Sequence, residues 1–188
     1  MLGQSRQWRG ALVGFGFIAE RAHLPVLFQH HSGIELKAVV DPCEARRRKA
    51  KVLRPNISVF PDIDALFSSA LAQEIDFIDC CTPTALHSKI ALESLQRGYH
   101  VLSESVLSLD RRSSDSLRQA ARLSDAILFP VHRYRFAPVL QEVQKLMNAG
   151  EIGPLKRVHL ELHAPTHAKG VSDWDPHWRR LHSFAGGG

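Results

Sequence analysis

With 188 residues the chain can bury one sizeable domain, and what remains is too short for a comfortable second one. Its 44% hydrophobic and 23% charged content exclude a disordered or low-complexity protein, and no run approaches the roughly 20 apolar residues of a membrane span. The formal charge of +5 gathers at Arg46, Arg47, Arg48, Lys49 and Lys51; without interleaved aromatics this cluster reads as a solvated helix face, not a nucleic-acid surface.

The first predicted strand, near residues 10–14, runs straight into Gly14-Phe15-Gly16-Phe17-Ile18-Ala19 and a helical pattern near 17–30. A dinucleotide pyrophosphate suits such a junction. Gly14 permits the sharp turn, Gly16 lets the backbone approach phosphate, and the small Ala19 lets the helix pack on the strand, with Phe15, Phe17 and Ile18 completing the cofactor-binding loop. The helix N-terminus adds free N–H groups and a positive dipole end. Arg6 and Arg9 ahead of this apolar run imitate a secretory signal, but two glycines interrupt the run and Glu20-Arg21 follow at once.

A second apolar strand near 34–40 ends at Asp41, which stands 22 residues past Ala19, close to the roughly 20 expected for a ribose-binding carboxylate. Asp41 favours NAD. Arg46 or a neighbour in the helix near 42–53, reaching a 2′-phosphate, would instead admit NADP. Further strands near 57–60, 76–81, 100–103 and 126–131 alternate with helices near 62–71, 85–97 and 110–124, which predicts a Rossmann-type, doubly wound parallel α/β sheet over residues 1–130. In the helix near 85–97, Thr84 is the expected N-cap, Leu86, Ile90 and Leu95 the buried side, and Gly98 the residue past its end. Cys43, Cys80 and Cys81 show no C-x-x-C spacing, so reduced thiols and a cytoplasmic location are expected.

Residues 131–188 read as the start of an α+β second domain, incomplete as given. Pro138 opens a helix whose apolar positions Leu140, Val143, Leu146 and Met147 run to Gly150, and Gly153-Pro154 make a turn. Residues 155–163 then alternate strictly, with Val158, Leu160 and Leu162 on one face and Arg157, His159, Glu161 and His163 on the other, as a half-buried antiparallel strand would. His159, Glu161 and His163 lack further ligands at metal spacing, so no metal site is expected.

The fingerprint ending in His23-Leu24-Pro25 is followed by Asp76-Phe-Ile-Asp-Cys-Cys-Thr-Pro-Thr-Ala-Leu-His87 and Gly98-Tyr-His-Val-Leu-Ser-Glu104. With Arg135-Phe-Ala-Pro138, Gly150-Glu-Ile-Gly153 and Trp178-Arg179 ahead of Gly186-Gly-Gly188, this order resembles the Gfo/Idh/MocA family. The resemblance implies an NAD(P)-dependent oxidoreductase that passes a hydride between nicotinamide and a sugar, cyclitol or related polyol, homo-oligomeric when full length. It places Thr82, Pro83, Glu104, Trp178 and Arg179 beside the cofactor. Pro83 holds Thr82 extended and is expected to aim its hydroxyl out of the sheet, while His87, in the first turn of the next helix, either contacts the cofactor or caps locally.

Two departures from the family pattern bear on catalysis. Where the family reads Glu-Lys-Pro, with the lysine beside nicotinamide and substrate, this chain reads Glu104-Ser105-Val106. A hydroxyl cannot supply that cation, and losing such a donor commonly costs about 100 to 1,000-fold in rate. Arg133, standing where similar sequences often carry Asn, is a candidate substitute charge. The family's later Asp and His, which take part in proton transfer, lie beyond Gly188, so the chain is expected to be an N-terminal portion. The alternative is a non-catalytic dinucleotide-binding module or sensor.

Overall fold

The computed structural model describes residues 7–29, 33–159, 161 and 183. Six strands form one sheet: β1 (Trp8–Val13), β2 (Ile34–Val40), β3 (Ser58–Phe60), β4 (Phe77–Cys80), β5 (His100–Glu104) and β6 (Leu128–Val131), in the order β3-β2-β1-β4-β5-β6. The pairs β1–β2, β1–β4, β2–β3 and β4–β5 are all parallel. Strand order therefore reverses at β1, with β2 on one side and β4 on the other. In open α/β sheets ligands bind outside the carboxyl ends of strands at such a switch point.

The helices are α1 (Leu24–Leu27), α2 (Glu44–Leu53), α3 (Ile63–Phe67), α4 (Thr84–Gln96), α5 (Arg111–Leu123) and α6 (Pro138–Asn148). Asp62 and Asp110 cap α3 and α5 by accepting the Ala65 and Ser113 N–H groups at 2.7 and 2.8 Å. Strand residues alternate between the sheet's two faces, as the pleat requires. Ala11, Val13, Ala38, Val40, Ile78 and Cys80 pack with Leu66 and Ile90 on one face. Leu12 and Val39 pack with Ala19, Leu24 and Ala50 on the other, and Val101 joins Leu95 and Leu117 between β5, α4 and α5.

Several local expectations are corrected. The stretch predicted as one helix near 17–30 contains a π turn over Ala19–His23 before α1, with the Leu24 N–H donating to the Ala19 carbonyl. Pro25 explains the widening: it has no N–H for the Arg21 carbonyl, and its ring would collide with that group in a regular helix. The stretch near 62–71 splits into α3 and a 3-10 turn at Ala70–Glu74. Pro83, not Thr84, occupies the N-cap position of α4, and no side chain caps that end. The buried stripe of α4 is Thr84, His87, Ile90, Ala91, Ser94 and Leu95, while Leu86 is exposed. Leu86 is about 100° round the helix from His87, off that stripe.

Contacts divide the chain into two compact units between Pro130 and Val131. In the second, a 3-10 turn over Arg133–Phe136 precedes α6, which Pro138 opens at a position needing no N–H. Val139, Leu140 and Val143 of α6 are exposed. The stretch expected as a strand at 155–163 carries no strand over residues 155–159 and 161; a period-two pattern becomes a strand only when it joins a ladder. Leu160, Leu162, His163, Trp178, Arg179 and Gly186 to Gly188 lie outside the described residues.

Candidate functional site

At the carboxyl end of β1, Gly14 turns the chain with φ +91°, and its N–H donates to the Val40 carbonyl at 2.8 Å. A Cβ there would sit 2.8 Å from the backbone of Cys81 and Thr82, so only glycine permits this approach of the loop to the end of β4. A Cβ on Gly16 would meet nothing within 4 Å, which leaves open space beside the loop. The Glu20 N–H donates to the Gly16 carbonyl at 3.0 Å, so the helix begins here and its first-turn N–H groups have no intrahelical acceptor. A bare backbone turn, an open flank and a helix N-terminus together fit a dinucleotide's pyrophosphate.

Asp41 organises this loop from the end of β2. Its side chain is only 2% exposed; Oδ2 accepts the Phe15 N–H and Oδ1 the Cys43 N–H, both at 2.8 Å. One carboxylate therefore ties the glycine loop to the start of α2. The basic cluster on α2 is not simply a solvated face. Arg46 places Nη1 3.6 Å from Asp41 Oδ2 with its Nε buried and unpaired, and Arg47 donates to the Asp41 and Pro42 carbonyls at 2.7 and 2.8 Å. Lys49 reaches Glu20 at 2.7 Å, and Arg48 pairs with Glu44 at 2.9 Å on the exposed side.

A second constellation joins the same helix to β4 and β5. His23, at the end of the π turn, places Nδ1 2.8 Å from Asp79 Oδ2 and Nε2 3.1 Å from Glu104 Oε1. The side chains of Asp79, His23 and Glu104 are 0, 8 and 20% exposed, so the line runs from the sheet interior towards its carboxyl edge. Burial disfavours the imidazolium, but hydrogen bonds to Asp79 and Glu104 and their negative charges outweigh it, raising His23 from 6.5 to about 9. Burial likewise pushes Glu104 up, yet the bonds from His23 and the Ser105 N–H prevail and hold it below its ordinary value. Cys81 donates to Asp79 Oδ1 at 3.6 Å. Burial, then the Asp79 charge, raise the Cys81 thiol well above its ordinary value, and burial raises Cys80 to about 11, so neither is a ready thiolate.

His23, Asp79 and Cys81 bring potential metal-binding atoms within 4.8 Å of one another. Both ring nitrogens of His23 already face carboxylates, so the closeness is accounted for by hydrogen bonding.

The loops after β4 and β5 are fastened together by His87, which is 1% exposed. Its Nε2 lies 2.8 Å from the Thr82 carbonyl and its Nδ1 2.8 Å from the Val106 carbonyl. It neither caps α4 nor presents a free nitrogen. Thr82 Oγ1 lies 3.4 Å from Cys80 Sγ. Ser105 is exposed beside Glu104. Arg133 belongs to the second unit, where its guanidinium stacks over the Tyr134 ring at 4.7 Å and donates to the Tyr134 hydroxyl.

The profile of the oxidoreductase family with an NAD-binding Rossmann fold, Gfo/Idh/MocA, matches residues 8–132. Inositol 2-dehydrogenase 4 of Saccharopolyspora erythraea is 29% identical over 150 residues, covering 79% of this chain and 43% of that enzyme. The solved structure of the WlbA dehydrogenase from Bordetella pertussis in complex with NADH and UDP-GlcNAcA matches with a TM-score of 0.71 and 28% identity, over 79% of this chain and 44% of that one. A variant of KijD10, a 3-ketoreductase from Actinomadura kijaniata in complex with TDP-benzene and NADP, matches at 0.67 and 25%, over 78 and 45%. The chain spans about half the length of the curated relatives it matches.

Proposed function

Since this chain belongs to the Gfo/Idh/MocA oxidoreductase family, we propose that it forms the cofactor-binding part of an NAD(P)-dependent dehydrogenase acting on a CH–OH group of a sugar, cyclitol or related polyol. One observation carries the reading: Gly14 and Gly16 form a bare backbone cradle at the sheet's switch point, and Asp41 holds that cradle in place. When bound, the nicotinamide supplies a two-electron hydride acceptor or donor. Gly14 and Phe15, their N–H groups held by the Val40 carbonyl and Asp41, shape the turn, and Gly16, Phe17 and Ile18 offer backbone N–H groups to the pyrophosphate. Each Asp41 oxygen keeps a further lone pair after its backbone bond, and we assign these to the ribose hydroxyls. Arg46, already turned towards that carboxylate, is the group that would meet a 2′-phosphate. Thr82, Pro83 and Glu104, with Trp178 and Arg179 from beyond the described residues, complete the proposed surroundings of the cofactor.

A non-catalytic binding module is the second reading, favoured by Ser105 in place of the family lysine. Among the described residues no helix is long and apolar enough to cross a membrane. We assign the protein to the cytoplasm and, at full length, to a homo-oligomer. Fluorescence titration with NADH and NADPH tests the cofactor reading. Saturable binding of at least one is expected, with NADH the tighter if Asp41 meets the ribose. A folded sample that binds neither at millimolar concentration would end the dinucleotide assignment, and a clear NADPH preference would shift the ribose role to Arg46.

A further inference from the structure

An aspartate with no exposed surface in the middle of a parallel sheet needs a reason, because burying an ionised carboxylate is costly unless it is paired. Asp79 has its partner in His23, which comes from the π turn across the sheet edge and passes its other ring nitrogen to Glu104. The outer carboxylate is the accessible end of the line, beside exposed Ser105, whose N–H binds Oε2 at 3.1 Å. Both Glu104 oxygens are thus fixed by protein donors while each keeps a lone pair for a ligand. Cys81, on Asp79, Cys80, which feels the Asp79 charge, and His87, on the Val106 carbonyl, are other titratable groups close to this line.

We propose that Glu104 accepts the substrate hydroxyl proton during oxidation, and that His23, held by Asp79, is the positioning residue that keeps Glu104 a carboxylate aimed at the sheet's carboxyl edge. The inference rests on the dehydrogenase reading above. Oxidising the carbinol removes two electrons and two hydrogens. One hydrogen leaves carbon with both electrons as the hydride taken up by the nicotinamide; the other leaves oxygen as a proton, bonds to the Glu104 carboxylate and passes to solvent. A serine at 105 cannot take that proton near neutral pH, whereas Glu104 is ionised there and keeps a lone pair on each oxygen, at the cost in basicity that the His23 bond imposes. The arrangement replaces a cationic acid–base group with an anionic one.

Two measurements on the chain test the proposal. Carboxyl-carbon NMR of Glu104 should give a titration midpoint below that of an ordinary glutamate, moving upward in His23→Gln and in Asp79→Asn. An unchanged midpoint in either folded variant would overturn the positioning role. Turnover with NAD or NADP across a panel of sugars and cyclitols should fall by about 100-fold in Glu104→Gln, with KM little changed, and the acidic limb of the kcat profile should move to higher pH in His23→Gln. Wild-type turnover that Glu104→Gln leaves intact would sink this proposal alone. A wild type that binds NADH yet turns over nothing in the panel would sink this proposal, and one that binds neither NADH nor NADPH would sink the dehydrogenase reading as well.

Discussion

Replacing His23 by glutamine should flatten the dependence of stability on pH between about pH 6.5 and pH 9. In the native protein the Asp79 and Glu104 carboxylates raise the imidazole from 6.5 to about 9, so the folded state holds a proton that the unfolded chain has released. A raised value contributes stability that is fully present below 6.5 and disappears as pH climbs through about 9. At 1.36 kcal/mol for each tenfold difference in proton affinity, the whole contribution is about 3 kcal/mol, of which about 2 kcal/mol is lost between about pH 6.5 and about pH 8.5. Cys80 and Cys81 add a decline of the same sign, but only above the ordinary thiol value of 9.0, outside that window. Urea unfolding followed by circular dichroism at half-unit pH intervals reads the effect directly. Wild type should lose stability steadily across the window while His23→Gln stays nearly level. Parallel curves for the two proteins would show that His23 carries no excess proton in the folded state, and the charged line from Asp79 to Glu104 would have to be abandoned.

Gly14→Ala should destabilise by at least about 1–2 kcal/mol from the positive φ alone, with the Cβ contact at the Cys81–Thr82 backbone adding to it and NADH binding lost; a variant melting like wild type would contradict the loop geometry. His87→Leu should cost about 1–3 kcal/mol by removing the buried imidazole that donates to the Thr82 or Val106 carbonyl and packs between the two loops, and hydrogen exchange should quicken in both loops together; quickening in one loop only would disprove the fastening. Asp41→Asn should weaken NADH binding and lower the melting temperature together, because an amide nitrogen would face one of the two N–H groups that the carboxylate accepts; a loss of affinity with unchanged melting would deny it a role in shaping the loop.

The parallel sheet and the glycine turn are readable along the chain because each depends on local pattern: alternating apolar runs with helices between them, and a turn needing glycine at Gly14. The position of Asp41 at the end of β2 is readable for the same reason. Its partners are not, since the Phe15 N–H comes to it only when β1 and β2 are paired in register. His23 is hidden in an apolar stretch, and its importance arises from the turn that Pro25 imposes and from two carboxylates 56 and 81 residues away. Asp79 is the one signal that sequence does offer, a charge interrupting Phe77-Ile78 and Cys80-Cys81 where every neighbour is apolar. The alternation at 155–163 carries less information, and over 155–159 no strand forms. Alternation is necessary for a half-buried strand, but pairing is a property of a second segment that periodicity does not reveal.

The double commitment of Asp41 limits how this protein's cofactor preference can be redesigned. In a site where the acidic residue only touches ribose, exchanging it for a small neutral side chain is a simple route towards NADP. Here the same exchange would also release the Phe15 and Cys43 N–H groups and slacken the turn on which either cofactor depends. A selectivity switch should therefore leave Asp41 alone and work through Arg46, whose buried and unpaired Nε makes it the adjustable member of the pair.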